Sequence, residues 1–134
     1  ERLDQFVDRK RHMGALYTKL LKDVKGLKLP QEKTNYAENI YWVYGLLVDE
    51  STGMNAEIVM RKLAERGIGT RPFFYPMHQQ PLLRRMGLFE DDKHPVAERM
   101  YSQGFYLPSG LGLTDGQFER SAEEVTKVLS SAFA

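Results

Sequence analysis

The chain has 134 residues, 42% hydrophobic and 28% charged, the balance of one ordinary globular domain with material enough for a hydrophobic core. Nineteen Lys and Arg against eighteen Asp and Glu leave a formal net charge of +1, which excludes the electrostatic footprint of a nucleic-acid or anionic-membrane binder. Cys is absent, so disulfide scaffolds and thiolate zinc sites are excluded, and no apolar run approaches the roughly 20 residues that span a bilayer. No signal peptide is visible, and the expectation is a cytoplasmic protein.

In chain order, Leu3, Phe6, Val7, Met13, Leu16, Tyr17, Leu20, Leu21 and Val24 recur at spacings of three and four. Asp4, Arg9, Lys10, Lys19, Lys22 and Lys25 fall off that stripe, so the segment reads as a long amphipathic helix. About 24 residues at about 1.5 Å each would reach roughly 36 Å, the length of a spine that joins one body to another. Because the chain opens at Glu1 inside this helix, it reads as a piece of something longer, or as a small protein that has been trimmed. Gly26 is placed to end the helix as a left-handed C′ residue.

Leu27 to Pro30 reads as extended and the residues to Asn39 as a polar loop. The run from Ile40 to Val48 is apolar, aromatic and β-branched, the strongest strand in the sequence; its poor alternation predicts burial on both faces or a contact surface on one. Asn55 can cap a helix whose buried stripe is Ile58, Val59, Leu63 and Ala64, closed by Gly67. Ile68 to Tyr75 is a second strand, with Pro72 favouring an edge or an interruption. Pro81 opens a short helix ended by Gly87, and Pro95 another through Tyr101. Phe105 to Leu107 is a third strand stopped by Pro108. Thr114 and Gln117 form a capping-box pattern before a final helix with Phe118, Ala122, Val125, Leu129 and Phe133 on its apolar face. The fold class is therefore α+β, a small sheet covered by helices.

The chemistry concentrates in Gly69 to Pro81. Three prolines there fix φ and withdraw backbone donors, while Phe73, Phe74 and Tyr75 stand between the permanently charged Arg71 and the titratable His78. A few polar groups set among apolar rings suit a pocket wall, although the same run also reads as a strand exit whose rings fill the core. Elsewhere His12, His78 and His94 are scattered without metal-ligand spacing, and no nucleophile elbow is present, so neither a metal site nor a hydrolase triad is expected. Tyr41-Trp42 can be read as a stacking platform, or as core.

Glu1-Arg2-Leu3-Asp4 with Arg9-Lys10-Arg11, then Tyr41-Trp42-Val43-Tyr44, then Thr70 through His78, and lastly Leu107-Pro108-Ser109-Gly110-Leu111 together resemble one family in order and spacing. It is the DegT/DnrJ/EryC1/StrS family of nucleotide-sugar aminotransferases, and the likeness covers essentially the whole chain. The resemblance implies the small domain of the aspartate-aminotransferase (type I pyridoxal phosphate) fold, with a mainly antiparallel sheet. It implies residues 1–26 as the end of a connecting helix, residues 27–134 as a C-terminal small domain, and a catalytic large domain outside this chain. Pyridoxal 5′-phosphate, its Schiff-base lysine and its phosphate contacts would belong to that large domain, leaving no catalytic, cofactor-binding or metal residue here and a chain inactive alone. The implied partners are a nucleotide sugar, an amino donor such as glutamate, and a second copy in a homodimer. Tyr41-Trp42 and the Phe-Phe-Tyr-Pro-Met-His run are most similar to members that aminate C4 of GDP-4-keto-6-deoxymannose. By the same resemblance Arg71, Tyr75 and His78 would bind substrate, with Phe74, Met77 and Tyr41 beside them. Two other readings stand next to this one: a free-standing α+β module that docks a partner, and a dehydratase of the same family.

Overall fold

The computed structural model describes residues 1–133. Five helices, α1 (Leu3–Leu21), α2 (Ala56–Ala64), α3 (Pro81–Arg85), α4 (Pro95–Gln103) and α5 (Asp115–Ser130), accompany four strands, β1 (Leu27–Lys28), β2 (Tyr44–Val48), β3 (Arg71–Pro72) and β4 (Gly104–Leu107). The strands form one antiparallel sheet in the order β1-β2-β4-β3. This is the α+β sandwich that the pattern of elements predicts.

Along β2 the side chains alternate strictly, with Tyr44, Leu46 and Val48 buried and Gly45 and Leu47 half-buried. Tyr44 pairs with Leu107 and Leu46 with Phe105, so all five residues share one face of the sheet. Three helices cover that face: Met13, Tyr17 and Leu21 from α1, Val59 and Leu63 from α2, and Phe118, Val125 and Leu129 from α5. Tyr17 sits at the centre, its ring 4.9 Å from Tyr44 and 5.3 Å from Phe118, with its hydroxyl donating to the Pro108 carbonyl at 2.9 Å. Burial pushes the Tyr17 and Tyr44 hydroxyls up to about 12, because the charged phenolate would be stranded away from water.

The local signals behave as chemistry requires. Asn55 Oδ1 accepts from the Ile58 amide at 3.0 Å, and the Thr114 capping box closes both ways. Pro81 and Pro95 each open a helix.

Three expectations are corrected. The first helix ends at Leu21, and of its predicted stripe Leu3 stays 71% exposed. Gly26 does have a left-handed φ of +78°, but it lies beyond that helix end. Its carbonyl accepts from the Asp49 amide, and a Cβ there would come within 2.4 Å of the Thr52 side chain, so close approach of two loops fixes the glycine. The strong strand begins at Tyr44, not Ile40: Tyr41 adopts φ +50° with its amide donating to Asn39 Oδ1 at 2.7 Å, which breaks the extended run. The second strand shrinks to Arg71–Pro72 at the edge of the sheet, with the Phe73 amide still donating to the Gly104 carbonyl at 3.2 Å.

Candidate functional site

On the face away from the core, Arg71, Tyr106 and Gly45 form one cross-strand row. Phe73 folds over that row. Its ring stacks on Tyr106 with centroids 4.6 Å apart, and it lies so close to Gly45 and Gly104 that a Cβ on Gly104 would meet it at 2.5 Å. At the β3 edge the sheet opens into a cleft of about 250 Å³ lined by Arg71, Thr70, Trp42, Tyr106 and the turn from Pro108 to Ser109. Among the described residues the Arg71 guanidinium forms no hydrogen bond or ion pair, so a residue that lines the cleft keeps its five donors uncommitted. Trp42, at 65% exposure, forms an aromatic wall of the same cleft.

The sequence-predicted residues separate into three groups. Arg71 lines the cleft. Phe74, Tyr75 and Met77 follow it on the loop with side chains 76%, 40% and 66% exposed; Phe74 meets Tyr106 edge-on, and Tyr75 meets Tyr101. His78 and Tyr41 are placed elsewhere, because both are buried at 4% exposure. His78 occupies a 3-10 turn, Met77–Gln79, where its Nε2 lies 2.8 Å from Glu98 Oε1 and its ring stands edge-on to His94 at 4.7 Å. Tyr41 packs into a hollow on α1 left by Gly14 and stacks at 5.8 Å on Tyr44. Glu98, Tyr101 and Tyr106 are the features that sequence reasoning missed; of the pair Tyr41-Trp42, read as a platform or as core, Trp42 is exposed and Tyr41 is core. A Glu three residues after the helix-opening Pro95 is the one local hint, and it says nothing of a histidine twenty residues away.

One further charge constellation binds helix to helix. Arg9 donates to Asp115 Oδ1 at 2.8 Å and His12 Nε2 meets Asp115 Oδ2 at 2.7 Å, joining α1 to the start of α5. The Arg9 bond first, and then that of His12, holds the Asp115 carboxyl below its usual range. Among the described residues no group of three or more His, Asp or Glu gathers as for a metal ion. Among the described residues no helix is long and apolar enough to cross a membrane.

Residues 1–126 match the DegT/DnrJ/EryC1/StrS aminotransferase family. The chain belongs to that family. Among its curated relatives, the GDP-perosamine synthase of Escherichia coli O157:H7 is 29% identical over 97% of this chain and 33% of its own length. The dTDP-4-dehydro-2,3,6-trideoxy-D-glucose 4-aminotransferase of Saccharopolyspora spinosa is also 29% identical, over 96% of this chain and 31% of its own. Among solved structures, the aminotransferase TlmJ from Streptoalloteichus hindustanus superposes with a TM-score of 0.84 at 27% identity, covering 99% of this chain and 34% of that one. The chain thus spans about a third of the length of the family members it matches, and its fold is that of the corresponding third of the type I pyridoxal phosphate enzymes.

Pyridoxal phosphate is this family's cofactor, and a Schiff-base site needs a lysine amine that can shed its proton in a closed cavity. Lys10 comes nearest, since burial draws its ammonium below the usual range. That ammonium, however, donates to the carbonyls of Trp42 and Ser109 and ties α1 to the cleft rim. Lys25 lies over the Phe133 ring and Lys127 pairs with Glu123 and Glu124. These lysines do not make a site for the cofactor.

Proposed function

We propose that this chain forms the substrate-recognising wall of a nucleotide-sugar aminotransferase, the sugar being a GDP-linked 4-keto-6-deoxyhexose aminated at C4 to a perosamine-type product. The observation that carries the reading is the uncommitted Arg71 guanidinium set beside Trp42 and Tyr106 in the cleft at the β3 edge. A planar, permanently charged fork suits the diphosphate of a nucleotide sugar, and an aromatic wall suits a base or a sugar face. Phe74, Tyr75 and Met77 continue that wall along the loop, where their exposed side chains would keep water from the hexose. His78 and Tyr41 support it from below, His78 by holding the loop and Tyr41 by setting the direction in which the chain leaves toward Trp42.

Pyridoxal phosphate, the Schiff-base lysine and the transfer of the amino group from a donor such as glutamate belong to the rest of the protein, so the chain alone is inactive. The whole enzyme is a cytoplasmic homodimer, and its product is a deoxyamino sugar of the kind built into O-antigen polysaccharide.

Arg71→Ala in the full-length enzyme tests the reading. Losing a hydrogen bond to a charged group costs about 1.5–3 kcal/mol, so KM for the nucleotide sugar should rise by tenfold or more while KM for the amino donor stays unchanged. Arg71→Lys should recover only part of the loss, because an ammonium cannot reproduce the bidentate fork. An unchanged sugar KM in both variants would remove Arg71, and with it the cleft, from the substrate site.

A further inference from the structure

The loop that carries Phe74, Tyr75 and Met77 has two anchors. One is the β3–β4 pairing, extended by the Phe73 amide donating to the Gly104 carbonyl and by the Phe73–Tyr106 stack. The other is His78, whose side chain is 5% exposed and whose carbonyl accepts from Arg84 Nε at 2.7 Å. Glu98 stands opposite. Its Oε1 lies 2.8 Å from His78 Nε2 and accepts from the His94 amide at 3.1 Å, so one carboxylate oxygen joins the 3-10 turn to the entry of α4.

A carboxylate that accepts from both sides dictates which imidazole nitrogen carries a proton. His78 must present Nε2–H to Glu98, because an ionised carboxylate can only accept, and the contact thereby orients the ring. Glu98 is itself pinned, since α4 runs into β4 at Gly104 without a linker. The carboxylate is therefore referenced to the sheet, and through it so is the loop.

We propose that Glu98 is a positioning residue for sugar recognition: it acts through His78 to hold the segment from Phe73 to Met77 in the register that shapes the pocket wall. This rests on the aminotransferase reading only for its kinetic consequence; the clasp itself is a property of the chain.

The test uses the full-length enzyme with Glu98→Ala, Glu98→Gln, His78→Ala and the double variant Glu98→Ala/His78→Ala. Two quantities are read: tryptic cleavage after the exposed Arg85, which needs no activity, and KM and kcat for the nucleotide sugar and the amino donor. Glu98→Ala should speed cleavage by about tenfold and raise sugar KM by about tenfold, leaving donor KM alone, since an unpaired buried N–H costs an amount of that order. Glu98→Gln keeps an acceptor oxygen and should return both readouts most of the way. The double variant should be no worse than either single one, because both remove the same contact. If Glu98→Ala fails to fold, Glu98→Asp, which withdraws the carboxylate by one methylene, replaces it with the same expected sense. Unchanged cleavage, or effects that add in the double variant, would overturn the proposal. If the wild-type enzyme turns over no nucleotide sugar, the functional reading falls, while the cleavage arm still decides the clasp.

Discussion

Gly14→Ala offers a sharp test of how the packing is understood. On an exposed helix surface this change would stabilise by about 1 kcal/mol, because alanine is the better helix former. Here the new Cβ would lie 2.3, 2.4 and 2.6 Å from Cδ2, Cγ and Cε2 of Tyr41, more than 1 Å inside ordinary carbon–carbon contact at the close end. The ring cannot swing aside. Tyr41 is 4% exposed, stacked on Tyr44, and held by the Asn39 side chain at an unusual φ of +50°. Overpacking of this kind costs about 1–3 kcal/mol, and full expulsion of the ring would forfeit about 4 kcal/mol of burial at some 150 Å². Against the helix gain, a net loss of about 2 kcal/mol is expected, or a fall of roughly 6–10 °C in Tm for a chain of this size. Circular dichroism during thermal and urea unfolding measures it, and Tyr41→Ala in the same background should make the alanine at 14 neutral or better. A Gly14→Ala protein as stable as wild type would refute the claim that the two residues are matched in shape.

Two further outcomes follow from the same architecture. With Tyr17 and Tyr44 raised to about 12, the folded state holds their protons more tightly than an unfolded chain with tyrosines near 10. Their contribution is thus complete below about pH 10 and declines as pH rises toward 12, by about 1.4 kcal/mol per tyrosine per unit; urea midpoints at pH 8, 10 and 11 should fall in that order, and a flat profile would contradict it. Thr114→Ala removes the side chain that accepts from the Gln117 amide, and should cost about 1 kcal/mol in the unfolding free energy, with Thr114→Ser close to wild type.

What could be read from the sequence was what depends on neighbours along the chain. Asn55 and Thr114 satisfy amides three residues ahead, and Pro81 and Pro95 need only their own fixed φ, so four helix starts were legible. The fold class followed from the order of such elements. The onset of β2 was not legible: Ile40 to Val43 is chemically a strand, and what bends it is a hollow on a helix some 27 positions earlier, which no local window contains. Within the candidate site, Arg71 and the exposed loop aromatics were visible as a composition of charge and rings. The burial of His78 was not, because its cause is an acid on a different helix, and nothing in Pro95-Val96-Ala97-Glu98 announces which histidine it will meet.

The kink at Tyr41 leaves the neighbouring indole outward, and Trp42 is the chain's single tryptophan. The protein therefore carries its own optical gauge at the cleft mouth. A nucleotide stacking there would quench or shift an emission that no other residue of this chain contributes, and the occupancy of Arg71's surroundings could be followed in real time without a dye.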